Sequence, residues 1–182
     1  MRPFALPQAF TPDECARIVA LAERAGLAPA GLVGGVADPR IRRAGIAWLD
    51  EAEGAGWVSD RLARLVADAN RDGFGFALDE LAESPQVARY DAGEAGHFAW
   101  HSDIGEGPVA RRRKLTLVVQ LSDPAGYAGG ALELMPDANV LTADRAQGAA
   151  IAFPSFVLHR VAPVTQGVRH SLTVWAHGPA FR

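Results

Sequence analysis

His101-Ser102-Asp103, joined much later in the chain by His159, supplies residue types that hold a catalytic metal ion. In an extended segment residues i and i+2 point to the same face, so His101 and Asp103 are expected to reach one ion together. His159, on a strand distant in sequence, would complete one triangular face of ligands. Two neutral imidazoles and one carboxylate suit Fe(II) and leave the opposite positions open for O2 and a co-substrate. Taken alone, His-X-Asp is a weak signal and fits a surface turn beside an unrelated histidine equally well.

Arg169 strengthens the reading. It follows His159 beyond the turn Pro163-Val164-Thr165-Gln166-Gly167, and a hairpin there is expected to bring it back alongside His159 on the next strand. Alternation then places Arg169, Ser171, Thr173 and Trp175 on one face and His170, Leu172, Val174 and Ala176 on the other. A guanidinium fork binds a carboxylate bidentately, and Thr173 would add a hydroxyl donor. The competing reading is an edge strand with Arg169 in solvent.

Other residues carry weaker signals. His97 has helical spacing to His101, but Gly96 and Phe98-Ala99-Trp100 argue against a helix, so it is a loop position and a candidate substrate contact. Trp175 is a candidate substrate platform, with core packing the commoner role for it and for Trp100. Arg111-Arg112-Arg113-Lys114 reads first as a solvated loop; the alternative is a lid, Arg111 included, that draws an acidic substrate or a nucleic-acid phosphate. Residues 40–50, with Arg42, Arg43 and Trp48, are expected to form a further wall of the entrance. His170 and His177 are expected to be structural or exposed.

The elements that must position these residues have clear local signals. Thr11-Pro12-Asp13-Glu14 reads as a capped helix start, with proline at the first helical position and Glu14 closing a capping box. Cys15, Ile18, Val19 and Ala22 follow at helical spacing, and Gly26 is a stop. Trp57 to Asn70 carries a second apolar face. Residues 27–45 read as loop with at most one short strand. From residue 86 the pattern changes to short β-branched, apolar runs: Val87–Tyr90, Leu115–Leu121, Ala149–Phe153 and Arg169–Trp175. Turn signals separate them, which argues for an antiparallel sandwich or jelly roll.

Composition bounds the function class. The net charge of −3 does not favour nucleic acid or an anionic membrane, and a lone cysteine, Cys15, rules out a disulfide within the chain. The N-terminus has no continuous apolar stretch like a secretion signal, and no run of about 18 apolar residues spans a bilayer, so the expectation is a cytoplasmic protein. A length of 182 residues suits a single domain over 1–182, with 1–85 as helical support and 86–182 as the β core.

The segment from Gln86 to Ala180 resembles the prolyl-hydroxylase branch of the 2-oxoglutarate and Fe(II)-dependent oxygenases, especially bacterial PKHD-type hydroxylases. The resemblance is carried by Val87–Gly93, His101-Ser102-Asp103, Leu121–Leu132, Phe153–His159, Val161–Arg169 and Thr173-Val174-Trp175; Phe10–Cys15 resembles the helix that opens such domains. It implies a mainly β fold with N-terminal helices, a double-stranded β-helix (cupin-like jelly roll) core flanked by α-helices. It also implies Fe(II) held by His101, Asp103 and His159, and 2-oxoglutarate and O2 as co-substrates. Ascorbate is an accompanying reductant in that reading. The distal carboxylate of 2-oxoglutarate would meet Arg169 and Thr173. Tyr90 sits where related enzymes have a pocket tyrosine, and Gln120 stands where some relatives have tyrosine. The implied reaction hydroxylates an amino-acid side chain, in a peptide, a protein or a small molecule, and releases succinate and CO2.

Two alternatives differ in class. Oxidative demethylases of nucleic-acid bases carry similar ligands but typically a second arginine on the strand face of the first, where this chain has Trp175. A metal- or 2-oxoglutarate-sensing module without turnover would use the same ligands, although a full set beside Arg169 argues against a degenerate site.

Overall fold

Thr11 opens the first helix as its neighbours require. Its hydroxyl accepts from Glu14 N at 3.2 Å, and the Glu14 carboxylate accepts from Thr11 N at 2.9 Å. Two amide groups that a helix start leaves unpaired are thereby satisfied. The computed structural model describes residues 1–30, 38–49 and 54–181. Two helices, α1 (Pro12–Ala25) and α2 (Gly56–Ala69), lie in the N-terminal half. The strands are β1 (Phe4–Leu6), β2 (Ala28–Pro29), β3 (Arg42–Arg43), β4 (Gly45–Trp48), β5 (Gln86–Asp91), β6 (His97–His101) and β7 (Arg113–Gln120), followed by β8 (Tyr127–Gly129), β9 (Leu132–Met135), β10 (Leu141–Thr142), β11 (Ala150–Pro154), β12 (Leu158–Val161) and β13 (Val164–His177). No helix among the described residues is long and apolar enough to cross a membrane.

The strands form two antiparallel layers, the double-stranded β-helix. The larger runs β1-β11-β7-β13-β5-β4-β2, with β8 also on β13, and the smaller runs β10-β9-β12-β6-β3. Helices α1 and α2 cover the outer face of the larger sheet. There Cys15, Ile18, Leu62 and Val66 pack with Leu115, Leu117, Val119, Leu172 and Val174. A second apolar cluster, including Tyr90, Val118, Leu132, Leu134 and Phe153, fills the space between the sheets. Each fully buried Leu or Ile contributes about 1.5–3 kcal/mol relative to exposure.

Strand β7 is buried along its whole length. Leu115, Leu117 and Val119 face the helices, while Thr116, Val118 and Gln120 face the other sheet. That double burial explains its nearly continuous apolar sequence.

The sequence expectations need revision in three places. The first 85 residues are more than helical support: β1, β2 and β4 extend the larger sheet, and β3 edges the smaller one. Of the loop expected over 27–45, residues 31–37 lie outside the described residues, as does Asp50 of the expected wall. The run Arg111–Lys114 is not one solvated loop. Arg111 is exposed, but Arg113 and Lys114 are buried at the start of β7. Arg112 pairs with Asp79 and Glu80, and Glu83 grips Arg113 through two contacts. Acidic residues of the segment before β5 supply the counter-charges that allow this burial.

The hairpin expected to set Arg169 beside His159 does not form. β12 pairs β6 and β9, whereas β13 pairs β5 and β7 in the opposite layer. Pro163, lacking an N–H, interrupts the ladder between them and the chain changes sheets. The two residues meet across the sandwich instead.

Candidate metal and co-substrate site

His101 and His159 are directly opposite on β6 and β12, and their ring centres are 4.1 Å apart. Between His159 and Val161 the register slips, so three steps on β6, from Phe98 to His101, face two on β12. This bulge turns both Phe98 and His101 inward, and their rings stack at 3.5 Å. Strand β6 ends at His101. Asp103 therefore lies in a bend rather than on an extended segment, and its placement comes from other contacts. Its backbone N–H donates to Ser155 O at 2.9 Å, and Thr116 Oγ1 donates to Oδ2 at 2.7 Å. Ser155 Oγ is 3.0 Å from the same threonine hydroxyl.

Each histidine Nδ1 donates to a carbonyl two residues back, His101 to Ala99 at 2.8 Å and His159 to Val157 at 3.0 Å. On that tautomer, assigned from the hydrogen bonds, Nε2 presents a lone pair. Burial, with help from His159 nearby, pushes the His101 pKa down to about 4, so its ring is neutral at ordinary pH. Asp103 is fully desolvated, which by itself would raise its pKa. Attraction to His159 and His101 when those rings carry a proton, and the Thr116 hydroxyl, outweigh that effect and hold the carboxyl below its usual range. Asp103 oxygens lie 3.7 Å from His101 Nε2 and 3.6 Å from His159 Nε2. These are acceptors facing acceptors, an arrangement that a shared cation satisfies. The three donor atoms fall within 4.8 Å of one another. A set of two imidazoles and one carboxylate on one side of a cavity fits Fe(II) with open positions.

Arg169 lies opposite Tyr90 on β5 and is fully buried. Its Nη2 donates to Gln120 Oε1 at 2.9 Å, and its guanidinium carbon sits 5.4 Å from the Tyr90 ring centre. Nε and Nη1 are buried and meet no acceptor among the described residues. Desolvation lowers its pKa, opposed in part by Tyr90 and Tyr127. A carboxylate would satisfy those two donors and compensate the buried charge. Two glycines let the chain pass over this arginine. Gly129 and Gly130 have φ of +70° and +63°, and a Cβ on Gly130 would come within 2.9 Å of Val164 and 3.0 Å of Arg169 Cδ.

One cavity of about 380 Å³ contains the proposed ligands and Arg169. Of the residues singled out in the sequence, His101, Asp103, His159, Arg169, Tyr90, Thr173 and Trp175 line it, and Gln120 reaches it through Arg169. Of the wall expected over residues 40–50, Arg42 and Trp48 also line it, whereas Arg43 lies outside, bonded to Pro39 O and Glu94 O. Two substrate candidates fall elsewhere. His97 lies outside the lining, its ring nitrogens occupied by Ala95 O and Arg40 O at 2.9 and 3.1 Å. Arg111 points to solvent, and Arg113 takes the place in the cavity that Arg111 was expected to fill. Its guanidinium rests 4.1 Å over Trp175, while Nη1 donates to Asp103 O at 3.0 Å. Thr116, Ser155, Gln86 and Glu83 were missed. Alternation along β7 could have placed Thr116 on the face of Gln120; for the others the sequence carries no signal.

Residues 85–177 match the family model of the 2OG-Fe(II) oxygenase superfamily. The chain belongs to that superfamily. The chain is 34% identical over 116 residues to a PKHD-type hydroxylase of Sphingopyxis alaskensis, a match that covers 60% of the chain and 52% of that protein. It is 30% identical over 176 residues to a PKHD-type hydroxylase of Bordetella pertussis, covering 91% of the chain and 74% of the relative. The chain spans about half the length of several such curated relatives. Its fold is that of a Pseudomonas putida prolyl-4-hydroxylase, with a TM-score of 0.78 over 97% of this chain and 92% of that one at 24% identity.

Proposed function

We propose that this protein is a 2-oxoglutarate- and Fe(II)-dependent hydroxylase acting on an amino-acid side chain, prolyl-like or other, in a peptide, protein or small molecule. The observation that carries this is the convergence of three metal-binding acceptor groups and a desolvated guanidinium in one cavity. His101, Asp103 and His159 would hold the iron. Arg169, with Gln120 fixing its outer nitrogen, would bind the distal carboxylate of 2-oxoglutarate. Thr173, four residues further along β13, shares that face but stands about 13 Å away, too far for the same carboxylate. Iron held there together with 2-oxoglutarate would supply O2-dependent hydroxylation, one oxygen atom going to the substrate and one to succinate with loss of CO2. The protein orients the two partners and excludes water. Tyr90, Val118 and Leu132 make the floor apolar, which strengthens the Arg169–carboxylate contact. Asp103 fills the ligand position that related halogenases leave to halide, which supports hydroxylation. The similarity to enzymes named prolyl hydroxylases supports peptide or protein substrates. The sharing of one sheet by β1, β2, β4, β7 and β13 supports reading residues 1–182 as one working unit.

The test is binding of Zn(II) and of N-oxalylglycine, an unreactive 2-oxoglutarate analogue, followed by Fe(II)-dependent succinate formation. His101→Ala is expected to lose the metal. Arg169→Ala is expected to keep it but bind N-oxalylglycine about 10–100-fold more weakly, the worth of a charge-assisted pair. Unchanged analogue affinity in Arg169→Ala would sink the assignment.

A further inference from the structure

The charged groups around the cavity pair off with one exception. Glu83 holds Arg113 through both Nε, at 2.6 Å, and Nη2, while Arg113 Nη1 is taken by Asp103 O. Asp103 belongs to the metal and Arg169 to 2-oxoglutarate. Arg42 remains. It projects from β3 opposite Phe98, and its guanidinium lies 4.5 Å over that ring, which in turn stacks on His101. Nη2 donates to the neutral amide oxygen of Gln86 at 2.8 Å. Nε is buried without an acceptor, and no carboxylate pairs with Arg42 among the described residues. Gln86 sits on β5 between Trp48 of β4 and Thr173 of β13, so this cation faces the same chamber as the reaction centre.

We propose that Arg42 anchors a carboxylate carried by the substrate, so that the preferred substrates are amino-acid residues with a free acid group close to the oxidised carbon. This rests on the oxygenase reading above. A half-buried guanidinium held by a neutral amide and an aromatic face keeps its full charge for an incoming anion, and its planar fork selects carboxylate geometry. One aromatic ring separates it from a metal ligand. An acid gripped there would hold the adjoining carbons of the substrate inside the chamber that His101, Asp103 and His159 line. The acid can come from a chain terminus or from an acidic side chain next to the target, and both present the same group.

The experiment titrates short probes into the Zn(II)- and N-oxalylglycine-loaded protein. N-acetylated amino acids and dipeptides are each presented as a free acid, as an amide beside a glutamate, and as a neutral amide. At least one acid form is expected to bind, with its neutral amide about tenfold or more weaker. The first two arms separate a terminal from a side-chain carboxylate. Arg42→Gln is expected to abolish the acid preference and Arg42→Lys to restore part of it, with N-oxalylglycine affinity reporting whether each variant keeps its reaction centre. Equal binding of acids and neutral amides by the wild-type protein overturns the proposal, as does binding of no acid or a preference that survives in Arg42→Gln. If the wild-type protein fails to bind N-oxalylglycine, the oxygenase reading falls and this one with it. If it binds the analogue but ignores the acids, this one alone falls.

Discussion

Asp103 shows how much of a proposed metal ligand's behaviour is decided by residues that would never touch the metal. Its carboxylate receives the Thr116 hydroxyl, and its backbone is pinned to Ser155. Thr116→Val keeps the shape of the side chain and removes that donor. Such partners orient metal ligands, and their loss typically costs about 10–100-fold in metal affinity. Zn(II) titration of Thr116→Val is expected to show a drop of that order, while N-oxalylglycine retains its preference for Arg169-containing protein. His101, Asp103, His159 and Arg169 were legible in the sequence because their residue types, in that order, have few other joint uses. Thr116 and Ser155 were not. Hydroxyl residues are common in strands, and theirs acquire a role only when β7 and the end of β11 bring them to Asp103. Arg113 was hidden for a different reason: a run of four cations reads as surface until Glu83, from a segment distant in sequence, is seen to neutralise one of them.

At the scale of elements, strand identities were readable and the layer of each was not. Alternation placed Arg169, Ser171, Thr173 and Trp175 on one face, and the structure has them there. It could not say that β13 leaves the sheet of β12, because that depends on the corner at Pro163 and on pairing with β5 and β7. The α1 cap was legible down to its two reciprocal hydrogen bonds, since capping is local. The bulge in β6 was not, since it arises from a mismatch with β12. The Gly129-Gly130 crossing gives this scale its test. Gly130→Ala would place a Cβ against Val164 and the Arg169 stem at a φ few L-residues accept. We expect a stability loss of about 1–3 kcal/mol, together with weaker N-oxalylglycine binding, because Arg169 must give way. Denaturant unfolding and an analogue titration on the same variant check both parts. A stability loss with unchanged analogue affinity would mean that Arg169 does not depend on this crossing.

For the whole molecule, the buried imidazoles set a dependence on pH. Burial holds the His101 pKa near 4 and lowers that of His170 from its usual 6.5. Between those limits the unfolded chain binds more protons than the folded one, so stability rises with pH across the window and is lost on acidification. For His101 in the metal-free protein the full effect is about 3 kcal/mol. Thermal melts of metal-free protein are expected to fall between about pH 7 and about pH 5, and His101→Gln is expected to flatten that fall. An equal slope in the variant would place the titrating group elsewhere.

Beneath these effects lies a division of labour in the architecture. β7 and β13 form the floor under Gln120 and Arg169 at the centre of the larger sheet, β6 and β12 hold His101 and His159 in the facing sheet, and β3 and β4 contribute the Arg42 and Trp48 wall from near the margins. Floor residues are bound on their far side to the packing of both helices and tolerate little exchange. On the rim the Arg42 and Trp48 side chains are partly uncovered, whereas Ile46, Ala47 and Leu49 around them are buried in the core. Selectivity is therefore expected to be adjustable by exchanging the side chains at 42 and 48 alone, with Ile46, Ala47 and Leu49 kept as the packing that holds β4 on β5.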